Sequence, residues 1–247
     1  DEIPSPYQQM GQMFDPVIFR EYDIRGVYNG QFDKDFAFQL GKSFSTYLKQ
    51  RLKKDSLTVA IGYDARISSP EISESLKRGF NSSGVNVIEL GLVTTPMCYY
   101  STFTLEEVDG AVQVTGSHNP PEYNGFKISF GKQTIFGEEI QKLRVIMQAR
   151  QFDEGQGTSK KVDIFPAYLE RYKKEFGTLK DIKVVLDCGN GAAGVIAKKL
   201  FNIVGLNPII LFEEPDGTFP NHHPDPTVEE NLTALRERVL AEKAICG

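Results

Sequence analysis

Tryptophan is absent from the 247 residues, and histidine and cysteine occur three times each. Cys98, Cys188 and Cys246 are odd in number, far apart and without a C-x-x-C pair. That argues against a disulfide scaffold or zinc knuckle and for a reducing, cytoplasmic setting. Basic residues are not in excess: 28 Lys and Arg stand against 33 Asp and Glu, a net charge of −5. So mild an acidity argues against a partner that is nucleic acid or an anionic membrane, because phosphate-backbone binding needs a concentrated basic field. No apolar run approaches membrane-spanning length. The stretch Asp1–Met13 is polar and proline-containing, with neither the basic nor the apolar region of a signal peptide. The chain opens on Asp rather than Met, which reads as a processed or trimmed piece.

What is present belongs to a globular protein: 40% hydrophobic, 11% aromatic and 25% charged residues, in a length that suits one large domain or two ordinary ones. Phe36, Leu40, Phe44, Leu48 and Leu52 recur every four residues, which predicts a helix between Asp35 and Lys54. A strand is expected over Leu57–Gly62, a helix from Ser69 to about Ser83, strands over Val85–Leu90 and Ala111–Thr115, and a helix over Gly137–Arg150. Phe152–Lys161 loses its apolar pattern and reads as a linker. Beyond it, Tyr168, Leu169, Tyr172 and Phe176 sit at helical spacing. Strands are then expected over Ile182–Cys188 and Pro208–Phe212, helices over Ala192–Val204 and Val228–Lys243, and the start of a further strand at Ala244–Gly247. Strand alternating with helix predicts an α/β sandwich around a mainly parallel sheet, since parallel neighbours need crossover connections.

Three segments are candidates for chemistry. Thr115-Gly116-Ser117-His118-Asn119-Pro120-Pro121 follows a strand, and its prolines hold Ser117 and His118 on a sharp exposed connection. Ser117 beside His118 is either an acyl-transfer pair, a phosphate carrier served by nearby cations, or a turn bonded to its own backbone. Downstream, Phe126, Ile128 and Phe130 share one strand face and Lys127 takes the other. The second candidate, Gly189–Gly194, matches G-x-G-x-x-G after a strand, with Glu213 and Glu214 about twenty residues on. It is either a dinucleotide fingerprint of an NAD-dependent enzyme or a tight strand-to-helix turn. The third, Pro220–Pro226, carries His222, His223 and Asp225, but three prolines in seven residues favour a structural or substrate-fringe loop over a metal site.

FREYDIRG (Phe19–Gly26), GYDAR (Gly62–Arg66), TGSHNPPEYNGFKI (Thr115–Ile128), LDCGNGAAG (Leu186–Gly194) and DGTFPNHHPDP (Asp216–Pro226) together resemble the α-D-phosphohexomutases, in particular their bacterial phosphomannomutase/phosphoglucomutase branch. The resemblance implies two related α/β sandwich domains with mixed, mainly parallel sheets between helices, the first over 1–157 and the second over 158–247 and incomplete. It implies a phosphoserine at Ser117 with Mg²⁺ on its phosphate, Lys127 and Arg25 as general acid and base groups flanking the phosphoryl, His118 and Asn119 shaping the loop, and Tyr22 contacting a phosphosugar. A monomer interconverting hexose 1-phosphate and hexose 6-phosphate through a bisphosphorylated sugar is the implied activity. The family's metal aspartates, in an Asp-Gly-Asp-x-Asp-Arg loop, and its sugar-selecting residues have no counterpart in these 247 residues. An inactive fragment is therefore expected, the competing class being a non-catalytic interaction module.

Overall fold

An apolar residue at every fourth position builds the first helix. The computed structural model describes residues 13–247, so the polar lead read over 1–13 falls, but for Met13, outside the described residues. β1 (Ile24–Val27) leads to α1 (Lys34–Arg51), where the Asp33 side chain accepts from Phe36 N at 3.0 Å and Lys49 and Arg51 sit in the last turn. There follow β2 (Thr58–Tyr63), α2 (Ser69–Ser82), β3 (Asn86–Leu92), α3 (Thr95–Thr104), β4 (Gly110–Val114), β5 (Tyr123–Phe130), β6 (Gln133–Thr134) and α4 (Glu138–Ala149). The second stretch holds β7 (Ser159–Lys161), α5 (Phe165–Phe176), β8 (Val185–Asp187), α6 (Ala197–Ile203), β9 (Ile209–Leu211) and α7 (Thr233–Glu242).

The main sheet runs β1-β5-β4-β2-β3-β7, with β6 on β5. Its β4, β2, β3 and β7 are parallel, whereas β5 lies antiparallel to β1, β4 and β6. Strand alternation sorts the two faces. Val59, Ile61, Val112, Val114, Phe126 and Ile128 pack with α1, α2 and α4, while Ala60, Ile88 and Ala111 pack with α3 and α5. Lys127 lies between Phe126 and Ile128 and so points to the α3 side, as its strand pattern predicts.

Several boundaries differ from expectation. The polar segment Phe152–Lys161 is not a linker throughout: Ser159–Lys161 pairs in parallel with β3, and Ile164 and Tyr168 bury themselves against the first sheet. A sheet edge accepts backbone from any sequence, which is why three exposed polar residues become a strand. The single helix expected over Ala192–Val204 is a 3₁₀ turn at Ala192–Val195 followed by α6, broken at Ile196 (φ −128°). Here Gly194 presses on the Glu213 carbonyl so closely that a Cβ would lie 1.7 Å from its oxygen. The helix expected over Val228–Lys243 likewise splits into a 3₁₀ turn at Glu229–Leu232 and α7. β8 and β9 pair in parallel, and on the other side of β8 the terminal segment begins to pair, Val185 N donating to Cys246 O at 3.1 Å.

Candidate active site

Ser117 stands exposed on a loop whose backbone is held from beneath by buried groups. As β4 ends, Thr115 Oγ1 donates to Asp64 Oδ2 at 2.8 Å and accepts from Ser117 N at 2.9 Å. Arg66 has only 1% of its surface exposed. It donates to the carbonyls of Ser117 (2.9 Å), Asn119 (2.8 Å), Tyr123 (3.2 Å) and Pro120, and its Nε pairs with Asp64 at 3.1 Å. Burial pulls the guanidinium below its ordinary pKa, and Asp64 opposes that. Gly116 lets the arginine pass: a Cβ there would lie 2.4 Å from Arg66 Cζ. Folded over this clamp, Ser117 adopts a left-handed backbone (φ 56°) and turns Oγ outward, 3.2 Å from His118 Nδ1.

A row of charged groups approaches the loop from β1 and β5. Lys127 Nζ and Arg25 Nη2 each lie 3.2 Å from Asp23 Oδ2, and Arg25 Nη1 donates to Asn119 Oδ1 at 2.7 Å. Lys127, Arg25 and Asn119 are thus brought together through a carboxylate that is 3% exposed. Among the described residues neither cation hydrogen-bonds to Ser117 Oγ. Two cations against one carboxylate leave a net positive charge beside the exposed serine, which suits an arriving phosphate. Tyr22, next to Asp23 in the chain, is exposed, its ring 6.5 Å from that of Phe136.

The glycine loop turns on itself. Gly189 and Asn190 have positive φ. Asn190 Nδ2 donates to Glu214 O at 2.9 Å, its Oδ1 accepts from Asn221 at 2.8 Å, and Gly189 N donates to Asp187 at 2.8 Å. These contacts are those of a tight turn locked to the Pro220–Pro226 loop. His222 Nε2 lies 2.8 Å from Asp187 Oδ2 in that loop, with its ring on Phe212. The same stretch reaches the serine site's scaffold. The Phe219 ring lies 5.3 Å from the Arg66 guanidinium, and a Cβ on Gly217 would lie 2.6 Å from Ile67 N.

Comparison with known proteins matches this pattern. The family described as phosphoglucomutase/phosphomannomutase, alpha/beta/alpha domain I, fits residues 16–154, and its domain II fits residues 166–247. The chain belongs to the phosphoglucomutase/phosphomannomutase family. It is 43% identical over 230 residues to a phosphomannomutase/phosphoglucomutase of Pseudomonas aeruginosa, covering 93% of this chain and 49% of that protein. It is 39% identical over 221 residues to a phosphoglucomutase of Neisseria meningitidis, covering 88% and 47%. Its fold superposes on a phosphoglucomutase/phosphomannomutase family protein of Burkholderia thailandensis with a TM-score of 0.88 at 36% identity, over 94% of this chain and 52% of that one. The chain thus spans about half the length of the curated relatives it matches.

The family resemblance implies Mg²⁺ on the serine phosphate, and the residues present do not fit a complete site for it. Among the described residues no three His, Cys, Asp or Glu side chains stand close enough to share a metal. Mg²⁺ demands near-octahedral oxygen coordination that includes carboxylates, and a phosphoserine is one ligand.

Sequence reasoning singled out Ser117, His118, Asn119, Lys127 and Arg25 and passed over Asp23, Asp64 and Arg66 as individual residues. Asp23 sits inside FREYDIRG and its partner Lys127 is 104 residues away. Only the fold reveals that pairing.

Proposed function

We propose that this chain carries the phosphoserine site of a phosphohexomutase that interconverts hexose 1-phosphate and hexose 6-phosphate. The observation that carries the reading is the serine loop, whose backbone is clamped by Arg66 and Asp64 while exposed Ser117 keeps its Oγ beside His118 and the Arg25–Asp23–Lys127 row is tied to the same loop through Asn119. A rigid carrier with a mobile substrate is what phosphoryl transfer needs, since most of its catalysis is positioning and charge stabilisation. In the proposed cycle the phosphoryl leaves Ser117 Oγ for a free sugar hydroxyl, whose proton passes to a neighbouring base while the released Ser117 Oγ takes one up. The bisphosphorylated sugar then returns its other phosphoryl to Ser117, whose hydroxyl proton passes to the base while the released sugar oxygen is protonated. Lys127 and Arg25 serve as the acid and base groups, Asn119 holds Arg25 towards the loop, His118 orients the serine hydroxyl, and Tyr22 meets the sugar at the rim.

The 247-residue chain by itself is expected not to turn over. Ser117 is open to water rather than enclosed with a substrate, and among the described residues no group of carboxylates for a metal is gathered around it. A coupled assay with glucose 1-phosphate tests both statements. In the full-length protein Ser117→Ala abolishes nearly all turnover and Lys127→Met slows it about 100-fold. Full activity in Ser117→Ala would refute the reading, and turnover by the unaided chain would refute its inactivity.

A further inference from the structure

Asp23 is a buried carboxylate whose ion-pair partners are the site's two cations. A carboxylate removed from water is costly unless paired, so the pairing is strongly enforced. Lys127 Nζ and Arg25 Nη2 share one oxygen, Oδ2, each at 3.2 Å, and therefore lie within twice that distance of each other. One phosphate can bridge that gap, because each cation reaches its oxygens through a hydrogen bond of about 2.8 Å. Arg25 has little else to hold it: Nη1 donates to Asn119, and Nε is buried with no partner. Among the described residues Lys127 pairs only with Asp23. On α3, the Tyr99 hydroxyl is pushed up to about 12, first by burial, then by Cys98 and by the charge of Asp23. Asp23 itself is fixed through its backbone, its carbonyl accepting from Arg20 N at 2.9 Å as β1 begins.

We propose that Asp23 is the positioning residue of the transfer site, holding the Lys127 ammonium and the Arg25 guanidinium at a spacing set for one phosphoryl group. This rests on the mutase reading above. Asp23 does not touch the reacting atoms. It acts through the two cations, whose mutual repulsion would otherwise drive the flexible lysine into solvent.

Asp23→Asn separates positioning from plain charge. In the full-length protein, kcat falls about 100-fold, the size expected for misplaced catalytic groups. KM for glucose 1-phosphate changes much less than kcat, because the lost negative charge favours an anion while the displaced cations bind it less well. Asp23→Glu, which restores the charge at a different reach, recovers part of kcat. Unchanged kcat in Asp23→Asn, or a raised KM with kcat retained, overturns the proposal. In the 247-residue chain, lysine side-chain NMR gives a readout independent of turnover, with Lys127→Arg identifying the signal. A Lys127 Nζ signal resolved and protected from exchange is expected, and it merges with the other lysines in Asp23→Asn. A Lys127 signal like the rest in the unsubstituted chain overturns the proposal whatever the activity. Absent turnover in the unsubstituted full-length protein would instead refute the mutase reading and leave the NMR result to decide on Asp23.

Discussion

Arg66 shows how a single buried side chain can make an exposed serine rigid. Its guanidinium is committed to four loop carbonyls and Asp64, and these bonds are what hold Ser117 in a left-handed backbone. Replacing it with methionine keeps much of the bulk but leaves those carbonyls and the Asp64 carboxylate without their donor. The expected cost is about 3–5 kcal/mol, read as a lowered urea midpoint. Loss below 1 kcal/mol would mean that water replaces the clamp. GYDAR makes Arg66 visible in the sequence, but five separate donors meeting five acceptors is a property of the folded loop alone.

Helices α1 and α2 approach through glycine. A Cβ on Gly79 would lie 2.1 Å from Phe38 O, and one on Gly41 would lie 2.6 Å from Leu76 O. Backbone cannot yield as a side chain can, so Gly79→Ala should destabilise by about 1–3 kcal/mol through forced separation of the two helices, measured by chemical denaturation. A second tie joins α4 to α1, where Glu139 accepts from Tyr47, Lys142 and, at 2.6 Å, Arg51. Lys142 above all, then Tyr47, holds the Glu139 carboxyl below its ordinary 4.5. The folded pKa is depressed, so the stabilisation is present above that unfolded value and is lost as pH falls through the folded one. Glu139→Gln should therefore flatten part of the acid-side fall in Tm between about pH 5 and 3, and an unaltered acid limb would contradict the tie. Among elements, α1 was legible because an apolar stripe repeats along it, and α2 because Ser69-Pro70-Glu71 opens it. By contrast α3 (TPMCYYSTFT) carries no comparable stripe, and β7 owes its strand to the neighbouring edge of β3.

Across the whole molecule, the serine site and the second stretch share one scaffold. Arg66 faces the loop on one side and Phe219 on the other, and Gly217 sits against the Ala65–Ile67 backbone. Phe219→Ala should speed amide exchange in both 216–226 and 115–119, while a change confined to the first segment would uncouple the two. The alternation of strand and helix made the α/β architecture readable, but the packing of α5 on the first sheet was not, because that contact depends on which face of a distant sheet is uncovered. The account as a whole stands on Ser117 as the phosphoryl carrier. Mass analysis of the Ser117 peptide, in full-length protein turning over glucose 1-phosphate with glucose 1,6-bisphosphate, tests this most directly. One phosphate on Ser117, absent from Ser117→Ala, is the predicted result; active protein with no phosphate on that residue would contradict it.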